Sequence, residues 1–319
     1  MSTTPTRETD IAIVGGGGAG LTAALYSARG RRKTLVFERA VTGGQISTTD
    51  IVENFPGFPK GINGFDLAQN FLQQAEHFGA EMVYEAVTAI RQEPDSTFTL
   101  TTADGDVHAK AVIVTAGADY NHLGVPGEER LVGRGVSYCA TCDAAFFQGK
   151  DAIVVGGGDA AIDEGLFASR YTRSISVVHR RDKLRANASL QERAFTNPKF
   201  KFIWNSEVQA ILGGEQVTGI VLKDTQTGAG SELPTDAVFI FIGQTPNSSL
   251  LDGLVPLDPR GHAIVDLKMQ TPVRGLFVAG DLRAEAARQL ISACGDGATA
   301  AISAEHYLSE HFGPPTGEQ

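Results

Sequence analysis

The stretch Ile11-Ala-Ile-Val-Gly-Gly-Gly-Gly-Ala-Gly20 decides the fold. Its opening apolar run predicts a buried strand, and a helix is predicted to follow from Ala19 to Arg29. Gly15, Gly17 and Gly20 form a G-x-G-x-x-G pattern between strand and helix. In this pattern the first glycine permits a tight turn, the second lets a pyrophosphate approach the backbone, and the third allows close helix–strand packing. The helix N-terminus then faces the phosphate charge, so the stretch predicts a dinucleotide site.

An acidic residue supports this interpretation. Glu38 ends the next predicted strand, which begins at Thr34. A carboxylate at that point of a strand–helix–strand unit can bind the hydroxyls of a nucleotide ribose. A glycine-rich turn without a ligand would not need an acid there, so we expect a nucleotide with a free 2′-hydroxyl.

A second strand–helix–strand unit follows later in the chain. Ala152-Ile-Val-Val-Gly156 predicts a strand, Ala160 to Arg170 a helix, and Ser174 to Arg180 the next strand. Its glycine motif is the G-x-G-x-x-A variant, formed by Gly156, Gly158 and Ala161. The recurrence indicates two copies of one domain type.

The second unit carries basic residues where the first carries its acid. His179 stands at the position equivalent to Glu38, and three arginines follow it: Arg180, Arg181 and Arg185. A carboxylate here would repel the 2′-phosphate of NADPH, whereas guanidinium groups bind it through forked, charge-assisted hydrogen bonds. A solvated basic loop is the alternative interpretation, but the placement at the ribose-reading position favours NADPH.

The order of the predicted elements indicates the architecture. Apolar strands alternating with helices predict parallel sheets with helices on both faces. Further strands are predicted at residues 111–116, 238–242 and 276–279, and a helical pattern runs from Ser292 to about Glu310. We therefore predict an α/β fold of two Rossmann-like dinucleotide-binding domains: a discontinuous one formed by residues 1–119 and 246–319, and an inserted one formed by residues 120–245.

One C-x-x-C pair, Cys139-Ala-Thr-Cys142, precedes the second glycine motif. Two intervening residues let both sulfurs reach disulfide geometry in a tight loop. A helix predicted to begin at Ala144, just after the pair, would favour a Cys142 thiolate. Asp143 is a candidate proton donor and acceptor, provided that burial raises its pKa, and a helix cap is its alternative role.

Zinc binding is the competing use of such a pair. A structural zinc site normally takes four nitrogen or sulfur ligands. Cys294 is the one further cysteine, and the 7 histidines show no ligand spacing. We therefore predict no metal site, and we expect Cys294 to be a small buried apolar residue.

The bulk composition argues against several partners. The chain of 319 residues has a formal net charge of −10, which would repel nucleic acid and anionic membranes. The segment Met1 to Asp10 is polar, so we expect no secretory signal. Three cysteines are too few for a disulfide scaffold, and an isolated C-x-x-C pair is typically redox-active or metal-binding in the cytosol. We therefore expect a cytoplasmic protein.

With these motifs assembled, the chain resembles the low-molecular-weight bacterial thioredoxin reductases from about residue 10 to about residue 310. The segments that carry the resemblance are Gly43-Gly-Gln45, Val52-Glu-Asn-Phe-Pro-Gly57, Cys139-Ala-Thr-Cys-Asp143, Gly156-Gly-Gly-Asp159, His179-Arg-Arg-Asp-Lys-Leu-Arg-Ala186, Gly280-Asp281 and Arg288-Gln289. The cysteine pentapeptide combined with the basic nucleotide motif is the most specific feature.

The resemblance implies an NADPH-dependent flavoprotein that reduces the disulfide of thioredoxin or a thioredoxin-like protein. The implied FAD residues, all in the first domain, are Gly15, Gly17, Gly20, Glu38, Gly43, Gly44, Gln45, Asn54, Val87, Thr115, Gly117, Asp281, Arg288, Gln289 and Leu290. The implied NADPH residues, all in the inserted domain, are Gly156, Gly158, Asp159, Ala160, His179, Arg180, Arg181 and Arg185. The implied catalytic residues are Cys139, Cys142 and Asp143, with Cys142 nearer the flavin and Cys139 attacking the protein substrate.

The resemblance also implies a homodimer whose inserted domain rotates between half-reactions. The chain departs from the family pattern at two places. Thr115-Ala-Gly117 stands where the family has A-T-G, and Ala160 stands where the family often has Ser or Thr. The missing hydroxyl at Ala160 would remove a hydrogen bond to the pyrophosphate, worth about 1 kcal/mol, so we expect weaker NADPH binding rather than none.

Other functions stay open at this point. A reductase of the same architecture can serve another thiol protein, take electrons from ferredoxin or a deazaflavin, or pass electrons to oxygen as a disulfide-forming oxidase. Arg180 and Arg181 argue against ferredoxin and deazaflavin. A non-catalytic flavin-binding sensor is a different class, which could lose the nucleotide motif or the cysteines, and both are present here.

Overall fold

The computed structural model describes residues 7–49 and 51–315. Residues 1–6, part of the polar N-terminus from which we expect no secretory signal, lie outside the described residues. The chain divides into two compact units: the first unit runs to Asp119 and resumes at Thr245, and the inserted unit spans Tyr120–Gln244. The predicted fold class, two Rossmann-like α/β domains of which one is inserted into the other, is confirmed.

Both units contain strands and helices, with runs of consecutive strands between some of the helices. The strands are β1 (Arg7–Val14), β2 (Thr34–Phe37), β3 (Ile51–Val52), β4 (Ile62–Asn63), β5 (Glu81–Val83), β6 (Ala89–Gln92), β7 (Phe98–Thr102), β8 (Gly105–Val114), β9 (Ala118–Tyr120), β10 (Val136–Ser137), β11 (Asp151–Val155), β12 (Ser174–Val178), β13 (Phe200–Ile203), β14 (Ser206–Gly213), β15 (Val217–Asp224), β16 (Gly230–Pro234), β17 (Ala237–Ile240), β18 (Gln244–Pro246) and β19 (Leu276–Val278). The helices are α1 (Gly18–Arg29), α2 (Gly64–His77), α3 (Ala140–Asp143), α4 (Asp159–Ala168), α5 (Ala188–Thr196) and α6 (Leu290–Phe312).

Strand β1 lies inside the sheet of the first unit. It pairs in parallel with β2 on one side and β8 on the other, β19 joins β8 in parallel, and β7 and β6 extend the sheet in antiparallel fashion. Ile11 and Ile13 pack in a core cluster with residues of α1 and α6, whereas Ala12 and Val14 pack in a second cluster. Burial on both faces explains why this strand is a continuous apolar run in the sequence.

Two glycines allow very close packing around α1. A Cβ atom at Gly20 would lie 1.8 Å from the carbonyl oxygen of Gly15, and one at Gly297 would lie 2.1 Å from the carbonyl oxygen of Ala19. Close-packed interiors leave no room for an added methyl group at either distance. These glycines therefore let α1 pack directly against the end of β1 and let α6 pack directly against α1.

The inserted unit is built on the five-stranded sheet β10-β17-β11-β12-β13, whose strands are all parallel. Val154 packs in a cluster with Ile162 of α4, whereas Val155 packs in a cluster with Ile220 of β15. The expectation of helices on both faces is therefore wrong for this unit. The antiparallel sheet β14-β15-β16 covers one face of this parallel sheet. Strand β15 largely alternates buried and exposed residues, so one of its sides is apolar and can pack there.

Several elements end earlier or begin earlier than the sequence predicts. Strand β8 ends at Val114 instead of Ala116, β12 ends at Val178 instead of Arg180, and α6 begins at Leu290 instead of Ser292. Thr115 and His179 thereby belong to the loops at the carboxyl ends of parallel strands, where ligands of such sheets bind. Within the described residues, no helix combines the length and the apolar character that a membrane crossing requires.

The contact between α1 and α6 generates a stability prediction. Gly297→Ala should lower the free energy of unfolding by about 1–3 kcal/mol, because the new methyl group meets main-chain atoms that cannot rotate away. Gly295→Ala is the matched control: it lies on the same helix, its Cβ would meet nothing within 4 Å, and it should stabilise by about 0.5–1 kcal/mol. Urea unfolding followed by circular dichroism measures both, and equal midpoints would contradict the packing argument.

Candidate active site

The first glycine motif forms a loop between β1 and α1. Gly15 has a φ of +113°, and its added Cβ would lie 2.6 Å from the carbonyl oxygen of Thr115. Gly17 is the N-cap of α1 and has no side chain with which to cap this helix end. The first amides of a helix lack intrahelical partners, so they can bind a phosphate group there.

A second loop lies along this one. The N–H of Gly43 donates to the Gly16 carbonyl oxygen at 2.7 Å, and Gly17 and Gly43 form an isolated β-bridge. The Glu38 carboxylate accepts from the N–H of Gly16 at 2.8 Å and from that of Ala40 at 2.8 Å. Glu38 therefore holds the glycine loop and keeps unused acceptor capacity for a ribose. Gly44 and Gln45 begin the 3₁₀ turn that follows.

The other side of the loop is closed by residues after β8. The Thr115 hydroxyl donates to the Gly15 carbonyl oxygen at 2.8 Å, and the Gln45 side-chain amide donates to the Ala118 carbonyl oxygen. Gly117 adopts a φ of +66° beside them. Val87 lies apart from these hydrogen bonds, half-buried in the loop after β5 and packed against the second core cluster of the first unit.

The start of α6 meets the same region. The Asn54 amide donates to the Gln289 side-chain oxygen at 3.1 Å, and Gln289 also caps α6. Leu290 packs its side chain against Gly18, so it sits at the start of α1. Arg288 has a φ of +55°, a conformation uncommon outside glycine. The structure thus brings together predicted residues that are far apart in the sequence.

Asp281 is a buried polar group of this region with an atom that the described chain does not hydrogen-bond. Its Oδ1 atom is buried and has no hydrogen-bond partner within the part of the chain that the structure describes. Burial raises the pKa of the Asp281 carboxyl, and the charge of Arg288 opposes that rise. A buried polar atom without a partner calls for an explanation, and a polar ligand supplies one. The first unit therefore fits a bound dinucleotide.

The loop between β11 and α4 repeats the design in the inserted unit. Gly156 has a φ of +145°, and Gly158 is the N-cap of α4 with no side-chain hydrogen bond to the helix end. The N–H of Arg185 donates to the Gly157 carbonyl oxygen at 2.7 Å, and Asp159 accepts from the N–H of Asn187 at 2.7 Å. These bonds hold the basic segment against the glycine loop. Ala160 is exposed in the first turn of α4.

The basic residues of this loop differ in exposure. His179 is 6% exposed, its ring packs against Gly157, and its Nε2 atom has no partner among the described residues. Burial lowers the pKa of His179, so its ring is a neutral polar group rather than a phosphate-binding cation. The three predicted arginines are exposed, and their side chains form no ion pair within residues 7–49 and 51–315: Arg180, Arg181 and Arg185.

Cys139 and Cys142 form a disulfide with their Cα atoms 5.3 Å apart. The Cys139 sulfur accepts a hydrogen bond from the Cys142 N–H at 3.1 Å and thereby caps α3. The helical segment predicted from Ala144 is present as the 3₁₀ turn Ala144–Phe147, but an earlier helical turn, α3, precedes it and begins between the cysteines. In this disulfide a main-chain N–H, a group that can stabilise a thiolate, is directed at the Cys139 sulfur.

Asp143 follows the pair in a partly buried position. Burial raises the pKa of its carboxyl, and a hydrogen bond from Ser137 opposes the rise. The raised pKa that Asp143 needs as a proton donor and acceptor is therefore present. The alternative role as a cap is not observed, since the Asp143 side chain makes no capping bond to the 3₁₀ turn Ala144–Phe147.

Comparison with known proteins places the chain in a family. The profile of the family described as "Pyridine nucleotide-disulphide oxidoreductase" matches residues 9–298. The chain belongs to this family. It is 48% identical over 303 residues to a thioredoxin reductase of Streptomyces clavuligerus, covering 94% of each chain, and 46% identical over 299 residues to one of Treponema pallidum, covering 94% of this chain and 97% of that one. The crystal structure of a thioredoxin reductase from Streptococcus pyogenes is similar with a TM-score of 0.91 at 40% identity, covering 96% of this chain and 100% of that one.

These findings confirm the predicted resemblance to the thioredoxin reductases. Membership of the pyridine nucleotide-disulphide oxidoreductases implies that the protein uses a flavin and a pyridine nucleotide. Among the residues that the structure describes, no group of three or more His, Cys, Asp and Glu side chains is arranged to hold a metal ion. Cys294 is a free buried thiol whose pKa is raised by burial.

Sequence reasoning missed two charged residues that support the oxidoreductase site. Asp296 of α6 accepts a hydrogen bond from the Gly280 N–H at 3.2 Å and binds the Arg283 guanidinium through both carboxylate oxygens, at 2.7 and 3.1 Å. This pair holds the backbone on which Asp281 stands. The available sequence signal was Asp296 itself, an acid among the small residues of α6. A buried acid needs a partner, so such a residue predicts a nearby cation.

The raised pKa of Asp143 generates a pH-dependent stability prediction. The folded oxidoreductase binds the Asp143 proton more tightly than the unfolded chain, whose ordinary pKa is 3.8, so burial of this carboxyl destabilises the fold increasingly as pH rises above that value. Asp143→Asn removes this cost. Its thermal unfolding midpoint should exceed that of the wild type at pH 8, and the difference should shrink toward pH 4.

The control for this prediction is Asp163→Asn. Asp163 is exposed on α4 and makes no side-chain hydrogen bond within the part of the chain described. Its replacement should leave the difference between pH 8 and pH 4 unchanged. An Asp143→Asn variant that is less stable than the wild type at pH 8 would contradict the burial argument.

Proposed function

We propose that this oxidoreductase uses NADPH to reduce the disulfide of thioredoxin or a thioredoxin-like protein, through FAD and the Cys139–Cys142 pair. The observation that carries the proposal is the Cys139–Cys142 disulfide, with a main-chain N–H on one sulfur and a carboxyl of raised pKa beside the pair. When bound, FAD would supply the two-electron chemistry that connects NADPH with this disulfide.

In this proposal the first unit holds FAD. The free amides at the start of α1 bind the pyrophosphate, and Glu38 binds a ribose. The buried Oδ1 atom of Asp281 binds a polar group of the cofactor. Burial raises the pKa of this carboxyl. Asn54 and Gln289 fix each other through their side-chain hydrogen bond and so define one wall of the site. The complete set of FAD residues is the one that the family resemblance implies.

The inserted unit holds NADPH. The amides at the start of α4 bind its pyrophosphate, while Arg180 and Arg181 bind the 2′-phosphate, because their exposed guanidinium groups have no competing partner in the described chain. His179 contributes a neutral ring nitrogen instead of a charge. The lack of a hydroxyl at Ala160 weakens this binding by about 1 kcal/mol.

The two sulfurs take different roles. After reduction, the Cys139 thiolate attacks the partner disulfide, because the Cys142 N–H stabilises its charge. A mixed disulfide forms, one partner sulfur leaves as a thiolate, and Cys142 then displaces the second partner sulfur and restores the Cys139–Cys142 bond. Asp143 holds the proton that the sulfurs exchange.

The proposal includes a conformational step and an assembly. The NADPH residues and the cysteine pair both belong to the inserted unit, and each must reach the same flavin in turn. We therefore include a rotation of this unit about the chain crossings near residues 118–120 and 243–246. On the family resemblance we further propose a homodimer, and on the cysteine composition a cytoplasmic location.

A trapping experiment tests the roles of the sulfurs. A thioredoxin with one active-site cysteine replaced by serine is activated as an aromatic mixed disulfide and mixed with the Cys142→Ser enzyme. The Cys139 thiolate should displace the aromatic thiolate and stay linked to thioredoxin, since the resolving sulfur is gone. Non-reducing electrophoresis and absorbance of the released thiolate measure both products.

The matched control is Cys139→Ser, which should link to thioredoxin at least about tenfold more slowly, because the Cys142 sulfur lacks the N–H contact. Both variants should bind FAD and appear yellow. If Cys139→Ser links as fast as Cys142→Ser, the assignment of the attacking sulfur is wrong. If neither links, the proposed reaction is wrong.

A second experiment tests the nucleotide. Arg180→Gln combined with Arg181→Gln should raise the concentration of NADPH needed for half-maximal flavin reduction by about 10–100-fold, because a charge-assisted hydrogen bond contributes about 1.5–3 kcal/mol. The same variant should use NADH about as well as the wild type. Arg193→Gln, an exposed arginine of α5, is the control and should change neither value. Equal losses for NADPH and NADH would contradict the assignment, and stopped-flow absorbance measures all three enzymes.

A further inference from the structure

Glu164 of α4 contacts Thr141, one of the two residues that lie between the cysteines on the cysteine loop, residues 139–142. Its Oε2 atom accepts a hydrogen bond from the Thr141 N–H at 3.0 Å, and its Oε1 atom accepts one from the Thr141 hydroxyl at 3.0 Å. Both carboxylate oxygens are thus used on one residue. The contact is part-buried, and no sequence motif of the chain pointed to it.

The cysteine loop depends on such an outside contact. Helix α3 has 4 residues, and a single turn is not stable by itself because helix nucleation is costly. Its own bonds are those from the N–H groups of Cys142 and Asp143 to atoms of Cys139 and from the Ala144 N–H to the Ala140 carbonyl oxygen. The N–H of Thr141 has no acceptor within the turn, so Glu164 satisfies it.

Helix α4 offers a firm base for this contact. Ala161 and Ile162 are fully buried in the core cluster of the inserted unit, and Leu166 packs in the same cluster. Glu164 lies among these residues on a helix that cannot shift without disturbing that core. The position of Thr141, and with it the spacing of the two sulfurs, is therefore tied to the core.

The spacing matters most when the sulfur–sulfur bond is open. Reduction by a dithiol transfers two electrons and two protons to the pair, breaks the bond, and leaves the reductant as a disulfide. The tendency of the pair to close again depends on how well the chain keeps the two sulfurs together. An anchor on Thr141 raises this tendency, because less conformational entropy is lost when the bond forms.

We propose that Glu164 is a positioning residue for the cysteine pair: its two hydrogen bonds with Thr141 hold the loop in the geometry that favours the disulfide. The inference rests on the proposed function, in which this pair is the redox centre. A contact that serves folding alone would change the stability of the inserted unit without changing the thiol–disulfide equilibrium of the pair.

The test measures that equilibrium directly. The FAD-loaded enzyme is equilibrated with reduced and oxidised dithiothreitol at a series of ratios, without NADPH. Free thiols are then alkylated and counted by mass spectrometry, with Cys294 as an internal reference. For Glu164→Ala, the equilibrium constant for disulfide formation should fall threefold to tenfold, which is a rise in potential of about 15–30 mV at 29.6 mV per tenfold.

Conservative and matched variants complete the design. Glu164→Gln can still accept from the Thr141 N–H and should stay within about twofold of the wild type. Thr141→Val keeps the main-chain bond and loses the hydroxyl bond, so it should fall between the wild type and Glu164→Ala, and it serves also if Glu164→Ala does not fold. Glu192→Ala removes an exposed carboxylate of α5 and should show the wild-type constant.

The outcomes separate the two hypotheses. If the wild-type pair is never reduced by the dithiol at any ratio, the proposed function fails. If the wild-type pair responds but Glu164→Ala and Thr141→Val have wild-type or larger constants, the positioning role alone is wrong. If the equilibrium constant for disulfide formation falls as much in Glu164→Gln as in Glu164→Ala, the positioning role is also wrong. The hydrogen bond from the Thr141 N–H, which glutamine can still accept, would then not determine the equilibrium.

Discussion

The site of the first unit depends on the close approach of main-chain atoms at the end of a buried strand. Because Gly20 has no Cβ, helix α1 begins directly against the Gly15 carbonyl, and its first amides emerge at the carboxyl edge of the sheet. Glu38, Gly43 and Thr115 then each bind the same short loop through hydrogen bonds. A methyl group at Gly20 would separate helix from strand and move every group that converges there.

Both units have a glycine loop at the end of a buried strand, although Ala161 stands at the position equivalent to Gly20, and the two loops differ in the charge at one further position. Glu38 is a carboxylate bonded to main-chain amides, whereas its equivalent, His179, is buried against Gly157 and kept neutral. The positive charge beside the glycine loop of the inserted unit therefore comes from the exposed arginines that follow His179. Hydrogen bonds from the main-chain N–H groups of Arg185 and Ala186 to Gly157 hold their loop against the glycine motif, and the arginine guanidinium groups form no ion pair within the described chain.

Local sequence patterns predicted the features that local chemistry determines. Apolar runs gave the parallel strands, and glycine spacing gave the loops, because strand burial and backbone conformation are set by neighbouring residues. Contacts such as Thr141 with Glu164 and Gly280 with Asp296 join residues distant in the sequence, and only the packed fold brings them together. Helix α3 was missed for a related reason: the sulfur of Cys139 acts as its cap, a role that propensity does not assign to cysteine.

Two carboxyls of the candidate site have pKa values shifted in the opposite direction from those of Asp151 and Glu85. Arg173 and Ser174 hold the pKa of Asp151 at about 2, and a hydroxyl of Thr102 lowers that of Glu85, as expected where the protein supplies the partners of its own acids. Within residues 7–49 and 51–315, the carboxyl pKa values that clearly depart upward belong to Asp143 and Asp281. Burial dominates at both of these carboxyls, which makes them candidates for contact with groups from outside the chain. Asp143 stands beside the disulfide and Asp281 beside the dinucleotide loop, the two parts of the chain on which the proposed electron transfer depends.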